Sequence, residues 1–202
     1  PYSEQQRRVV KEKLGFPSNR PLVLVTGGGL GAERLNNAVA DTISELTQFT
    51  SVILITGTGQ HAEIRRRLPE DTDQVKVYDF VSDGMIDMLG AADVVVARAG
   101  ATTILELAAL AKPTILVPNG FLTGGHQIKN AKVYEDKGAV KVIDEMQMEK
   151  TPQLLVDEIK NLIDDPAEAR QMGQAFLSFA HPGAAKDMAD MILDAANSRR
   201  TN

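Results

Sequence analysis

Short apolar runs that end at glycine or proline and alternate with helical patterns constrain the fold of this chain more than any other feature. The first run, residues 22–25, closes on three glycines, and the residues after it form an apolar helical face with Leu35, Val39, Ile43 and Leu46. Further strands are predicted over residues 52–56, 75–78, 94–97, 114–117 and 140–143. Strands that alternate with crossover helices form a parallel sheet with helices on both faces. We therefore predict an α/β fold with a doubly wound, parallel, six-stranded Rossmann-like sheet.

Length and composition limit the domain organisation and the partners. The 202 residues, of which 43% are hydrophobic, are enough for one buried core, so we predict a single domain over 1–202. A net charge of -5 provides no general field for nucleic acid, and we predict no nucleic-acid partner. The absence of cysteine excludes disulfides and thiolate catalysis, and it is typical of a reducing compartment such as the cytoplasm. All apolar runs are far shorter than the roughly 20 residues of a membrane-spanning helix.

The first glycine-rich segment, 27–32, lies between a predicted strand and a predicted helix. Its glycines let the backbone approach a ligand closely, and the free N–H groups at the start of the helix favour an anion. Glycine clusters also form ordinary strand-to-helix turns, but phosphate binding is the favoured interpretation here. The candidate residues are Gly28, Gly29, Leu30 and Gly31.

A dinucleotide cofactor is an alternative ligand for this loop. NAD-binding folds place an Asp or Glu at the end of the second strand, where it binds the ribose hydroxyls. Here that strand ends at Thr56, Gly57, Thr58 and Gly59, so the acid is missing. The glycine spacing also departs from the dinucleotide pattern, because Ala32 stands at its last position. We therefore disfavour NAD and predict neither a cofactor nor a metal.

A second turn, 98–103, leads into another predicted helix and directs free N–H groups to the same edge of the sheet. Two helix starts that favour anions suit a diphosphate. Glu106 follows one turn later and has two interpretations. It complements the helix dipole as a first-turn acid, or it accepts hydrogen bonds from both hydroxyls of a ribose. The other candidates in this segment are Gly100, Ala101, Thr102 and Thr103.

The third segment is a long loop that leads through Gly124 and Gly125 into a helix with His126, Gln127 and Asn130 in its first two turns. Amide side chains both donate and accept hydrogen bonds, so Gln127 and Asn130 match the hydroxyl groups of a sugar. Alternatively, Asn130 is a polar residue that caps the helix. The three segments together favour a ligand that carries phosphates and a sugar.

Four segments in this order resemble the C-terminal domain of glycosyltransferase family 28. They are the residues 27–32, 80–85, 92–106 and 126–131. The resemblance covers almost the whole chain and is strongest to members that transfer GlcNAc from UDP-GlcNAc to a lipid-linked muramyl pentapeptide. It implies the C-terminal half of a GT-B fold, which binds the UDP-sugar donor. It also implies that the full-length protein lies peripherally at the inner face of the membrane.

The resemblance further implies a role for each matching residue. Phe80 and Val81 would lie against the uracil, Glu106 would hold the ribose, and the two glycine-rich loops would bind the diphosphate. The side chains that would face the GlcNAc are His126, Gln127 and Asn130. Transfer in this family inverts the anomeric carbon without a metal, so helix dipoles and backbone N–H groups would stabilise the departing UDP.

Three departures from the family pattern bear on the substrate. Gly29 and Leu30 stand where the family usually has Ser followed by Gln, and Ala99 stands where it has Ser. An Arg that often precedes the domain and contacts phosphate has no counterpart in residues 1–3. Each departure removes a side chain that could contact the donor.

The acceptor-binding N-terminal half of the family, which would supply the general base, is absent from these residues. The chain opens on Pro1 without an initiator methionine, so we expect a fragment of a longer protein that binds UDP-GlcNAc and transfers little by itself. Alternatively, the chain is a subunit that works only with a separate acceptor-binding partner. A third interpretation is a related lipid glycosyltransferase that uses UDP-glucose or UDP-galactose.

Overall fold

A computed structural model describes residues 1–120, 125–181, 183 and 187–192 of the chain. Strands and helices alternate along most of it. The strands are β1 (Leu22–Thr26), β2 (Ser51–Ile55), β3 (Val75–Tyr78), β4 (Val94–Ala97), β5 (Thr114–Leu116) and β6 (Lys141–Val142). The helices are α1 (Glu4–Lys13), α2 (Glu33–Phe49), α3 (His61–Arg67), α4 (Met85–Ala91), α5 (Ala101–Ala109), α6 (His126–Glu135), α7 (Glu145–Lys150), α8 (Gln153–Asp164) and α9 (Pro166–Leu177).

The strands form one six-stranded sheet in the order β3-β2-β1-β4-β5-β6, and every neighbouring pair is parallel. This confirms the predicted doubly wound α/β fold. The strand order reverses between β1 and β4, because β2 and β3 follow on one side and β5 and β6 on the other. In open α/β sheets the ligand binds outside the carboxyl ends of the strands at this reversal. The loops after β1 and β4 therefore flank the expected site.

Two apolar layers cover the two faces of the sheet. In β1 the side chains of Val23 and Val25 pack with α2 and α8, whereas Leu22 and Leu24 pack with α5 and α9 on the other face. All four are fully buried, as a strand covered by helices on both faces requires. Each such side chain contributes roughly 1.5 to 3 kcal/mol of burial free energy, so the sheet is a rigid base for its loops.

The predicted strands 75–78 and 94–97 match β3 and β4, but the predicted strand 140–143 is shorter in the structure. It is limited to β6 because Asp144 caps α7 directly after it, accepting from the N–H of Gln147. Pro166 occupies the first turn of α9, as its fixed φ angle favours, and Pro152 immediately precedes α8.

A candidate nucleotide site at the carboxyl edge of the sheet

The helices α2, α5 and α6 all begin at the carboxyl edge of the sheet. Their N-cap residues are Ala32, Gly100 and Gly125, and in the described part of the chain none of the three has a side chain that caps its first N–H groups. Side chains cap α1 (a capping box with Ser3), α9 (Asp165) and α7 (Asp144, after β6), whereas α8 has no side-chain cap within the same part of the chain. Uncapped N–H groups at a helix start attract anions. The carboxyl edge is therefore built to meet negative charge.

The first glycine loop follows β1 and is closed by its own backbone. Gly28 and Gly31 have φ angles of 79° and 77°, and the N–H of Gly31 donates to the carbonyl of Gly28 at 2.9 Å. A Cβ atom on Gly31 would lie 2.3 Å from the carbonyl oxygen of Thr56, so this glycine fixes the loop against the end of β2. At Gly28 a Cβ would meet nothing within 4 Å. The loop is thus held on one side and open to a ligand on the other.

Leu30 lies at the tip of this loop with 93% of its surface exposed. Gly29 beside it is also exposed, and a Cβ atom on Gly29 would lie 3.9 Å from Cε2 of Phe80. Phe80 belongs to the segment after β3, the edge strand on that side of the sheet, and 55% of its surface is exposed. Val81 is half-buried against the core. The structure therefore brings the predicted uracil and diphosphate elements together.

The second loop joins β4 to α5. Ala101 and Thr102 are exposed and Thr103 is half-buried, so the start of α5 is open. Glu106 is exposed as well, but it lies in the second turn of α5, whose first turn contains no acidic residue. The interpretation of Glu106 as a first-turn acid is therefore wrong. Gly100, in extended backbone with a φ of -74°, leads directly from the loop into the helix.

The third segment lies one strand further along the same edge, after β5. His126 is the first residue of α6 and is exposed, and Gly125 before it is in the left-handed conformation. The side-chain carbonyl of Gln127 accepts from the backbone N–H of Asn119 at 2.9 Å, which ties α6 to the end of β5. Asn130 is half-buried in the second turn, so the interpretation that it caps the helix is wrong. Gly124 lies outside the described residues.

These positions give the candidate site an order along the sheet. Phe80 lies at the β3 side, the two glycine loops lie at the reversal, and His126 borders the site beyond β5. Gln127 is partly engaged in holding its own loop, and its NH₂ group makes no hydrogen bond in the contacts of the described residues. The ligand roles of all the candidate side chains stay predictions.

Glu145 is a residue that the sequence did not indicate. The guanidinium of Arg98, in the β4–α5 loop, donates to the carbonyl of Val117 at 3.0 Å and to the carboxylate of Glu145. Arg34, in the first turn of α2, places Nη1 3.7 Å from the other Glu145 oxygen and donates from Nε to Glu149 at 2.9 Å. Glu145 is 3% exposed. No local pattern predicts this pairing, because 47 residues separate Arg98 from Glu145.

The other parts of the described structure were compared with the candidate nucleotide site for metal clusters, membrane-spanning helices and cavities. Across the ranges given above, no group of three or more His, Asp or Glu side chains could hold a metal ion. None of the described helices is long and apolar enough to cross a membrane. A cavity of about 490 Å³ lies at the opposite edge of the sheet, near Arg7, Lys11 and Lys112, and none of the predicted site residues lines it.

A parallel sheet of this strand order, with two uncapped helices at its reversal, defines a Rossmann-like α/β domain. Residues 22–188 match the glycosyltransferase family 28 C-terminal domain, and the chain belongs to this family.

Curated relatives carry one common name. The UDP-N-acetylglucosamine–N-acetylmuramyl-(pentapeptide) pyrophosphoryl-undecaprenol N-acetylglucosamine transferase of Acetivibrio thermocellus is 35% identical over 194 residues, which are 95% of this chain and 52% of that protein. The transferase of the same name from Exiguobacterium sibiricum is 35% identical over 184 residues, 91% of this chain and 49% of that protein. The chain thus spans about half the length of these relatives.

The crystal structure of Acinetobacter baumannii MurG has the same fold. It aligns with a TM-score of 0.76 at 24% identity and covers 96% of this chain and 54% of the MurG chain. The fold is therefore that of one half of a GT-B protein, as the sequence predicted.

Proposed function

We propose that this chain is the domain that binds the donor UDP-GlcNAc in an inverting, metal-independent glycosyltransferase. The observation that carries the proposal is the pair of uncapped helices, α2 and α5, that begin on the two sides of the β1–β4 reversal. A diphosphate bound between them would accept hydrogen bonds from both first turns and lie at the positive end of both helix dipoles. The names of the family relatives supply the identity of the sugar nucleotide.

The nucleoside would lie on the β3 side of the site. Phe80 is exposed beside Gly29, so its ring and the half-buried Val81 offer an apolar surface to the uracil. Glu106 is exposed on α5 with a carboxylate that can accept from both ribose hydroxyls at once. The diphosphate would then occupy the open side of residues 28–31 and the start of α5 at residues 100–103.

The sugar would lie at the start of α6. His126 is exposed there, Asn130 is half-buried one turn further on, and Gln127 keeps its NH₂ group for a sugar hydroxyl. Departure of UDP from the anomeric carbon moves negative charge onto the diphosphate. Backbone N–H groups that are already fixed at two helix starts stabilise that charge without reorganising, which is how such a domain would accelerate transfer.

The acceptor would bind outside this chain. Because the chain spans about half of its curated relatives, we propose that transfer requires an acceptor-binding half, as an N-terminal domain or as a separate subunit. That half would supply the general base and hold the lipid-linked acceptor of peptidoglycan precursor synthesis. The complete protein would then work in the cytoplasm, peripherally at the inner face of the membrane.

Calorimetry on the 202-residue chain tests the donor site. We expect UDP-GlcNAc and UDP to bind, and we expect the same result with and without EDTA because the proposed site uses no metal. UDP-glucose and UDP-galactose test the alternative of a related lipid glycosyltransferase that uses one of these donors. If either binds more tightly than UDP-GlcNAc, that sugar nucleotide and not UDP-GlcNAc is the donor. Absence of heat with all four ligands at millimolar concentration would refute the donor site.

A further inference from the structure

Glu145 contacts residues at the beginnings of the two helices whose first turns the proposed function assigns to the diphosphate. It is the first residue of α7, and its carboxylate contacts Arg98 on one side and approaches Arg34 on the other. Arg98 directly follows β4 and precedes the turn into α5, while Arg34 is the second residue of α2. One buried carboxylate thus binds the β4–α5 turn through a hydrogen bond from Arg98, while its other oxygen lies 3.7 Å from Nη1 of Arg34 at the start of α2 without a hydrogen bond within the described structure.

We propose that Glu145 is a positioning residue that sets the distance between the starts of α2 and α5, and thereby the fit of the donor diphosphate. This inference rests on the proposed function. Glu145 is too deeply buried to contact a ligand itself, with its side chain 4% exposed. It acts through Arg98, whose side chain is 11% exposed and also holds the carbonyl of Val117 at the end of β5.

Burial explains why the link is rigid. A buried ion pair gains little net stability over apolar packing, but the loss of one partner leaves the other charged and without compensation. Removal of the Glu145 carboxylate would leave Arg98 in that state, with the carbonyl of Val117 as its remaining acceptor among the described residues. The Arg98 side chain would then move toward water and take the β4–α5 turn with it. Movement of this turn would displace one of the two N–H sets that face the diphosphate.

Because Glu145 is charged, an electrostatic role and a positioning role predict opposite changes in UDP affinity when the charge is removed. A carboxylate close to a diphosphate site repels the ligand, so an electrostatic effect alone predicts tighter UDP binding when the charge is removed. Arg98, once released from Glu145, would also be able to approach the phosphates. Weaker binding of UDP after removal of the charge therefore requires that Glu145 acts by positioning.

The experiment measures binding of UDP and of uridine to the full 202-residue chain. UDP is titrated by calorimetry and uridine by NMR, for the wild type, Glu145→Gln and Glu145→Asp. We expect UDP to bind about tenfold more weakly to both variants, which is about 1.4 kcal/mol, with uridine affinity changed less than twofold. Glu145→Asp keeps the charge and shortens the side chain, so it tests the length of the side chain alone. It also replaces Glu145→Gln in the experiment if that variant does not fold.

Glu149→Gln is the matched control, because Glu149 also pairs with Arg34 but its side chain is 46% exposed and it belongs to the same helix. It should bind UDP like the wild type. UDP affinity within twofold of the wild type in the folded Glu145 variants, or tighter binding in Glu145→Gln, would overturn the positioning role. Equal losses for UDP and uridine would also overturn it, since they indicate general unfolding. Failure of the wild type to bind UDP would instead refute the proposed function.

Discussion

At the scale of single residues, the role of Glu106 distinguishes a nucleotide-binding site from a site that binds only anions. Its carboxylate is exposed in the second turn of α5, where it does not neutralise the helix dipole. Glu106→Ala should weaken UDP binding by about 1 to 3 kcal/mol, the scale for losing a hydrogen bond to a charged group. The free energy of unfolding should stay the same, because an exposed side chain is removed. Calorimetry and urea denaturation measure the two quantities.

Glu12→Ala is the control for this change, since Glu12 is also exposed and lies on α1 away from the site. It should leave UDP binding unaltered. Equal UDP affinity in both variants would mean that Glu106 does not hold the ribose.

His126 tests the sugar end of the site. It is exposed at the first position of α6, beyond the loops that would hold the diphosphate. His126→Ala should therefore reduce the preference for UDP-GlcNAc over UDP while UDP affinity itself changes less than twofold. Competition between the two ligands in the wild type and the variant measures this preference. A loss of UDP affinity without a change in preference would assign His126 to the phosphates.

At the scale of elements, the two left-handed glycines of the first loop should respond differently to the same substitution. Gly28→Ala meets only the backbone strain of a positive φ, about 1 to 2 kcal/mol for a non-glycine residue. Gly31→Ala adds a Cβ that would lie 2.3 Å from the backbone oxygen of Thr56. Urea denaturation should therefore show a clearly larger loss of stability for Gly31→Ala.

The same two variants also test whether UDP binds at the open side of the first glycine loop. Gly28→Ala should fold and yet bind UDP more weakly, because its new Cβ points to the open side of the loop. If both variants lose equal stability, the packing of Gly31 on the end of β2 is not what fixes the loop.

Local sequence patterns predicted the strands and helices, but they did not predict contacts between elements that are distant in the sequence. The buried runs of β1 and β4 were predictable because a strand covered on both faces is apolar throughout. The helix α5 begins at Ala101, inside the segment 98–103 that was predicted as a turn, because helix ends are set by weak local preferences. Glu145 had no local signal, because only the folded sheet brings it to Arg98.

The candidate site shows the same division. The glycine loop and the helix starts were predicted from physical properties of their own residues. The position of Phe80 was implied only by family resemblance, since β3 lies two strands away from β1 in the sheet. Its approach to Gly29 depends on the path of the segment after β3, which the sequence pattern alone does not determine.

At the scale of the whole molecule, the two edges of the sheet differ in their charged groups. In the described structure the carboxyl edge leaves the first N–H groups of α2 and α5 without a side-chain cap, whereas the other edge buries cations that are already paired. There Lys11 contacts Asp93 at 2.6 Å, and Lys112 donates to the carbonyls of Gly90 and Ala92 at 2.5 and 2.8 Å. These bonds satisfy the last turn of α4 and brace the start of β4.

Lys112 makes the stability of the chain depend on pH. Burial and the positive charges of Arg7 and Lys11, against an opposing effect of Asp93, together lower the pKa of the Lys112 ammonium group to about 7. Between pH 7 and the ordinary lysine pKa near 10.5, the unfolded chain holds a proton that the folded chain has released. The unfolded state binds more protons in this window, so the Lys112 contribution to the free energy of unfolding rises with pH. Below pH 7 the charge is present in both states and its burial cost is largest.

Lys112→Met isolates this contribution, because every other group titrates alike in the two proteins. The free energy of unfolding of the wild type minus that of Lys112→Met should be more positive at pH 9 than at pH 6, as measured by urea denaturation. Lys13→Met, at an exposed position of α1, should give a difference that does not change between the two pH values. A difference for Lys112 that is equally independent of pH would mean that the buried ammonium stays charged, held by the carbonyls of α4 and by Asp93 strongly enough to offset its burial.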